Sequence, residues 1–167
     1  MGPPYLQRIA TYLLTNIQRI AAGRGMSAHF NGIRIITIYA PSGSEKKREK
    51  EEFYNGEVAR LPTHSSDNAV LAGDFNCVLT PSDCTGSLNV SRALTRLVTG
   101  LDLVDVNQRR MIYTHYTAQG VSRTDRIYLS RQLSKSKQGV VANSCCIHGP
   151  PVRHVTCFTF CPLHDTG

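Results

Sequence analysis

The chain has 167 residues, is 41% hydrophobic, and carries a formal net charge of +7 with a sequence pI near 9.3. That length suits one domain with a real core, and the apolar fraction excludes disorder as the default. No run reaches the roughly 18–20 apolar residues that span a bilayer. Met1-Gly2-Pro3-Pro4 lacks the basic and apolar regions of a signal peptide, so a reducing compartment is expected, with the six cysteines as free thiols. The positive charge suits a polyanionic partner, nucleic acid first, although charge alone leaves that open.

In chain order, residues 6–21 place Ile9, Leu13, Ile17 and Ile20 at near-helical spacing, with a strand possible for part of the segment, before Gly23-Arg24-Gly25 breaks it. Residues 32–39 are rich in β-branched side chains and predict a strand that stops at Pro41-Ser42-Gly43. A helix is predicted over 44–61, with Ser42 and Glu45 as a possible capping box and Pro62 as its stop. Its run 45–52 holds four Lys or Arg and four Glu, which reads as a solvated face. Ala69-Val70-Leu71-Ala72, ended by Gly73, predicts a buried strand. A second helix covers 91–99, with Leu94, Leu97 and Val98 on one side and Gly100 as the stop. Residues 111–117 and 124–129 predict two strands joined by Ala118-Gln119-Gly120-Val121, and 155–160 one more. Strands and helices alternate without a regular rhythm, which indicates an α/β fold with a mixed sheet.

Three places carry chemistry. In Gly73-Asp74-Phe75-Asn76, at a strand end, Asp74 has the chemistry to take a proton from water or hold a metal. Asn76 has the chemistry to donate to a phosphate oxygen or orient that water. Those four residues equally describe a plain turn after a strand. In Ser122-Arg123-Thr124-Asp125-Arg126-Ile127-Tyr128, Asp125 opens a strand and suits the orienting of a histidine. Arg123 and Arg126 beside it are candidate nucleic-acid contacts, and a surface ion-pair ladder fits them as well. Tyr39, at its strand end, offers a phenol to a phosphate or is simply a strand-end core tyrosine.

The order of these elements resembles the endonuclease/exonuclease/phosphatase superfamily. Three longer strings sharpen the likeness: Ile38-Tyr39-Ala40-Pro41-Ser42-Gly43, then Gly73-Asp74-Phe75-Asn76-Cys77-Val78-Leu79 with Asp83-Cys84-Thr85-Gly86, then Thr114-His115-Tyr116-Thr117 leading into Ser122-Arg123-Thr124-Asp125. Together they resemble the endonuclease domains of non-LTR (LINE-type) retrotransposons over residues 23–131. The resemblance implies an incomplete four-layer α/β/β/α sandwich, deoxyribonuclease I-like. It would comprise a segment 1–22 that is degraded or unrelated, a partial domain over 23–162 and a tail over 163–167. It also implies Mg²⁺ as cofactor, DNA as partner, a nuclear location, and hydrolysis of a phosphodiester. Asp74 would activate the attacking water and take part in metal binding. Asn76 would fix the water or phosphate, Tyr39 would contact the phosphate, and Asp125 would orient a late histidine, His154.

The chain departs from that pattern at both ends. No counterpart of the family's metal-binding Glu is visible, and Asn16 is the candidate remnant of the first strand's Asn. The family closes with Ser-Asp-His, where this chain has Val152-Arg153-His154. Near a divalent ion, Arg153 would be repelled by about 8 kcal/mol at 4 Å and an effective dielectric near 20. His148 is a second candidate histidine, followed by Gly149-Pro150-Pro151 instead of a strand. Reduced or absent nuclease activity is therefore expected, and a non-catalytic basic nucleic-acid-binding fragment, or a decayed relic, is the alternative. Cys145, Cys146, His148, His154, Cys157, Cys161 and His164 crowd the last 25 residues and have zinc-ligand chemistry, yet lack a Cys-x₂-Cys pair.

Overall fold

The computed structural model describes residues 14–43, 46–61, 68–86, 90–106 and 113–135, with the backbone of 139–147 and 153–161. Six strands form the main sheet. They are β1 (Thr15–Ile20), β2 (Gly25–Phe30), β3 (Ile33–Tyr39), β4 (Ala69–Asp74), β5 (Leu103–Asp105) and β8 (Asp125–Ser130). Their order is β1-β2-β3-β4-β8-β5, with β3 and β4 parallel and every other pair antiparallel. Two small antiparallel sheets are bonded separately: β6 (His115–Thr117) with β7 (Gly120–Ser122), and β9 (Gly139–Ile147) with β10 (Arg153–Cys161).

The parallel crossover from β3 to β4 runs through α1 (Lys47–Glu52) and a π-helical turn, Phe53–Val58. The nine-residue helix α2 (Arg92–Gly100) follows β4, and the one-turn helix α3 (Arg131–Lys135) follows β8. Strand alternation divides the core. Ile36, Ile38, Leu71 and Tyr128 face Phe53, Tyr54, Val58, Leu94 and Leu97 on one side. Ile33, Val70, Ala72, Ile127, Leu129 and Leu133 form the other cluster. Each fully buried aliphatic or aromatic side chain contributes about 1.5–3 kcal/mol, so β4, buried on both faces from Ala69 to Ala72, anchors the sheet.

Several expectations change in the structure. The segment read as helical over 6–21 holds strand β1, because pairing with β2 outweighs its near-helical spacing; β1 is bonded into the main sheet across the boundary expected at residue 22. Residues 1–13 lie outside the described residues. The expected helix over 44–61 is a short α-helix continued by the π-helical turn, and Glu45 of the capping box lies outside the described residues. The expected solvated face is not uniform, since Lys50 is only 2% exposed. Strands β2, β5, β7 and β9 add to those expected, β7 starting inside the connection read over 118–121. The Asn31-Gly32 pair, with φ of 47° and 75°, turns β2 into β3 as a two-residue hairpin, for which Asn-Gly is the strongest short-range signal. The pair β6–β7 is a hairpin by itself, and β8 belongs to the main sheet.

Candidate active site

The carboxyl ends of β3 and β4 meet the amino end of β8. Tyr39 pairs in register with Asp74, and Asp74 pairs with Asp125. By alternation all three fall on the face of Ile35, Ala72 and Ile127, in one row across three neighbouring strands. Directly opposed residues of an antiparallel pair hold their Cβ atoms about 5 Å apart, so Asp74 and Asp125 present two carboxylates side by side. Tyr39 at the end of the row is 52% exposed.

The local chain makes this arrangement specific. Gly73, at φ 142°, lies so close to β3 that a Cβ there would sit 1.9 Å from the Ile38 carbonyl oxygen. Beyond it, Asp74 Oδ1 accepts the Asn76 backbone N–H at 2.8 Å, which closes an Asx turn. Asn76 takes a left-handed φ of 47°, a conformation asparagine tolerates. Its side-chain Nδ2 donates to the Ala40 carbonyl at 2.8 Å, and the Ala40 N–H donates to the Asp74 carbonyl at 2.9 Å. The turn after β4 is thus tied to the chain leaving β3. On the other side, the Phe75 N–H donates to the Thr124 carbonyl at 2.9 Å. Thr114 Oγ1 accepts the N–H groups of Thr124 and Asp125 at 3.1 and 3.0 Å.

The electrostatics follow from the crowding. Burial pushes the Asp74 carboxyl above its ordinary range, and the charge of Asp125 pushes it further up; the Asn76 N–H, the Thr124 hydroxyl and the His115 ring oppose this without cancelling it. A raised carboxyl beside a second carboxylate favours either a bound proton or a nearby cation. Burial also raises the Cys77 thiol to about 11, so it stays protonated at neutral pH.

A cleft of about 400 Å³ opens on the flank of this row, lined by Lys50, Asn76, His115 and Thr124 among others. Lys50 is a residue the charge pattern concealed. Its Nζ donates to the Asn76 carbonyl at 3.0 Å, which puts a buried cation behind the Asx turn. The mixed-sign run gave no signal for this, except that Lys50 lies three residues before Phe53 on the same helical face.

Other expected residues fall elsewhere. Arg123 and Arg126, read as nucleic-acid contacts, are corrected by the structure: they are 4% and 3% exposed and paired with Asp83 and Asp105 behind the row. A buried, paired guanidinium has no face to offer a phosphate. Asn16 is corrected as well. It sits on edge strand β1 beside Thr15, whose register partner is His29, and His29 pairs with Arg34 near the start of β3. That is the opposite end of the sheet from Asp74. His154 lies on β10, in register with Cys146, and its side chain, like that of Arg153, is outside the described residues. His148, His164 and the side chains of Cys145, Cys146, Cys157 and Cys161 are also outside them. Among the described residues, Cys77 and Cys84 are free thiols, and no three His, Cys, Asp or Glu side chains group as a metal site. No helix among them is long and apolar enough to cross a membrane.

No family model and no curated protein matches the chain. Solved structures do. An AP endonuclease from Archaeoglobus fulgidus aligns at TM-score 0.66 and 20% identity, over 79% of this chain and 64% of that one. The 3′-5′ exonuclease NExo from Neisseria meningitidis aligns at TM-score 0.65 and 20% identity, over 89% of this chain and 72% of that one. A Neisseria 3′ phosphatase NExo bound to product DNA hairpin aligns at 0.60 and 20% identity. The chain therefore spans less than two thirds of the AP endonuclease. These likenesses, with the mixed sheet and its helical layer, show the deoxyribonuclease I-like α/β fold.

Proposed function

We propose that this chain carries the phosphodiester-hydrolysing site of a DNA endonuclease, of the kind found in non-LTR retrotransposons and acting in the nucleus, in a weakened form. The observation that carries the reading is the single row of Tyr39, Asp74 and Asp125 across β3, β4 and β8, on a fold shared with nucleases. The retrotransposon assignment rests on the three sequence strings around Tyr39, Asp74 and Asp125.

The donor set fits Mg²⁺. Two adjacent carboxylates are hard oxygen ligands, and Mg²⁺ is commonly held by one or two carboxylates with water and phosphate completing its shell. Burial first, and the Asp125 charge after it, raise the Asp74 carboxyl, and a bound divalent cation would favour its ionised form. Asp74 and Asp125 would hold the ion, which when bound would neutralise charge on the phosphate. Asp74 also accepts a proton from the attacking water. The Asn76 turn and the Tyr39 phenol position the phosphate, and Lys50 adds a fixed positive charge at the cleft. The weakness would come from Arg153, which stands in place of an acidic neighbour to His154.

Supercoiled plasmid incubated with the purified chain and Mg²⁺ tests this. Slow nicking is expected, lost with EDTA and in Asp74→Ala, and reduced in His154→Ala. Nicking that persists in Asp74→Ala, or none above the EDTA control from folded protein, overturns it. In the latter case the net charge of +7 supports the second reading, a non-catalytic nucleic-acid binder, whose affinity must fall steeply with salt.

A further inference from the structure

Behind the row, on the helix-covered face of the sheet, four charged side chains are buried together. Arg126 Nη2 meets Asp83 Oδ2 at 2.7 Å, and Arg126 Nη1 meets Asp105 Oδ2 at 3.0 Å. Arg123 pairs with Asp105 and reaches Asp83 Oδ1 at 3.7 Å. Each side chain is 9% exposed or less, and the group has no net charge. Its members come from three segments: the turn after β4, strand β5, and the entry to β8. The backbone joins in. The Arg123 N–H donates to the Asp83 carbonyl at 2.8 Å, and Arg126 Nη2 donates to the Arg123 carbonyl at 3.3 Å. Asp83 Oδ2 also accepts the N–H groups of Leu79 and Thr80.

Thr124 and Asp125 lie between the two arginines in the chain. A one-residue slip of β8 would turn Asp125 toward the helices and Arg126 toward the opposite apolar cluster. The quartet forbids that slip, because Arg126 then loses both carboxylates in a buried setting. Buried ion pairs are poor sources of net stability, and their best-attested use is to specify register.

We propose that Asp83, Asp105, Arg123 and Arg126 are positioning residues, which lock the entry of β8 so that Asp125 faces Asp74. This deepens the reading of the row as a hydrolytic site, but the geometry it claims is testable without activity. The decisive measurement is amide hydrogen exchange on the full chain. It compares wild type with a neutral quadruple variant of similar volume (Asp83→Asn, Asp105→Asn, Arg123→Met, Arg126→Met) and with Arg123→Lys, which keeps the charge and loses the fork.

In the folded quadruple variant, the amides of Phe75, Thr124 and Asp125 should exchange at least roughly tenfold faster, while those of Val70, Leu71 and Ala72 keep their protection. Arg123→Lys should show the same selectivity with a smaller change, and it decides the question if the quadruple variant does not fold. Unchanged exchange at Thr124 and Asp125, or an equal loss across β4, overturns the proposal. Plasmid nicking forms a separate arm. Wild-type protein that never nicks refutes the hydrolytic reading and leaves the exchange result standing.

Discussion

Gly73→Ala is the sharpest perturbation of the link between sheet and site. Two costs combine. The residue sits at φ 142°, outside the range of L side chains, a strain of about 1–3 kcal/mol. The added methyl would also sit 1.9 Å from the Ile38 carbonyl oxygen, and its three nearest atoms are all Ile38 backbone. Restoring an ordinary carbon–oxygen contact of more than 3 Å requires β3 and β4 to part by about 1 Å, where β4 is buried on both faces. Loss of packing and of a ladder bond adds about 1–2 kcal/mol. The total is about 2–5 kcal/mol, which for a chain of this size lowers Tm by roughly 5–15 °C. Thermal melting by circular dichroism reads it, with Gly100→Ala as control. Gly100 ends α2 with no atom within 4 Å of its Cβ position and no positive φ, so alanine there should be neutral or stabilising. A Gly73→Ala melt within about 2 °C of wild type would refute the close approach that aims Asp74.

Two further outcomes follow from the same region. The native Asp74 carboxyl holds its proton above the ordinary value of 3.8, so its contribution to stability is present at low pH and lost as pH rises through the raised native value. Asp74→Asn should therefore leave urea-unfolding stability unchanged near pH 3 and raise it at pH 8; a deficit at pH 8 would refute the assigned burial and charge crowding. Tyr54 donates to the Phe75 carbonyl at 2.5 Å in the core, next to Cys77, so Tyr54→Phe should cost about 1–2 kcal/mol in urea unfolding, and a loss below about 0.5 would dismiss that bond.

Local sequence was enough wherever the signal was local. The β-branched run ending at Tyr39, the apolar run before Gly73 and the Leu-spaced helix from Ser91 became β3, β4 and α2, because each carries its own periodicity and stop. The structure makes Ser91, the start of the expected range, the cap of that helix, its Oγ accepting the Leu94 N–H at 3.0 Å. The motifs around Tyr39, Asp74 and Asp125 suggested a role by residue type and neighbours alone, and the structure brings the three residues into one row. Pairing partners were not legible. The segment of β1 reads as helical by its spacing, with a strand possible for part of it, and only its hydrogen bonds to β2 decide for the strand. Charge was the least legible property. Lys50 and Arg126 sit in runs that look like solvated surface, yet both are buried, because their partners, the Asn76 carbonyl, Asp83 and Asp105, lie 26, 43 and 21 residues away along the chain. Sequence by itself determined which groups exist and where elements stop. Which of them face one another depended on sheet register, and register is a property of the assembled sheet that no single segment carries.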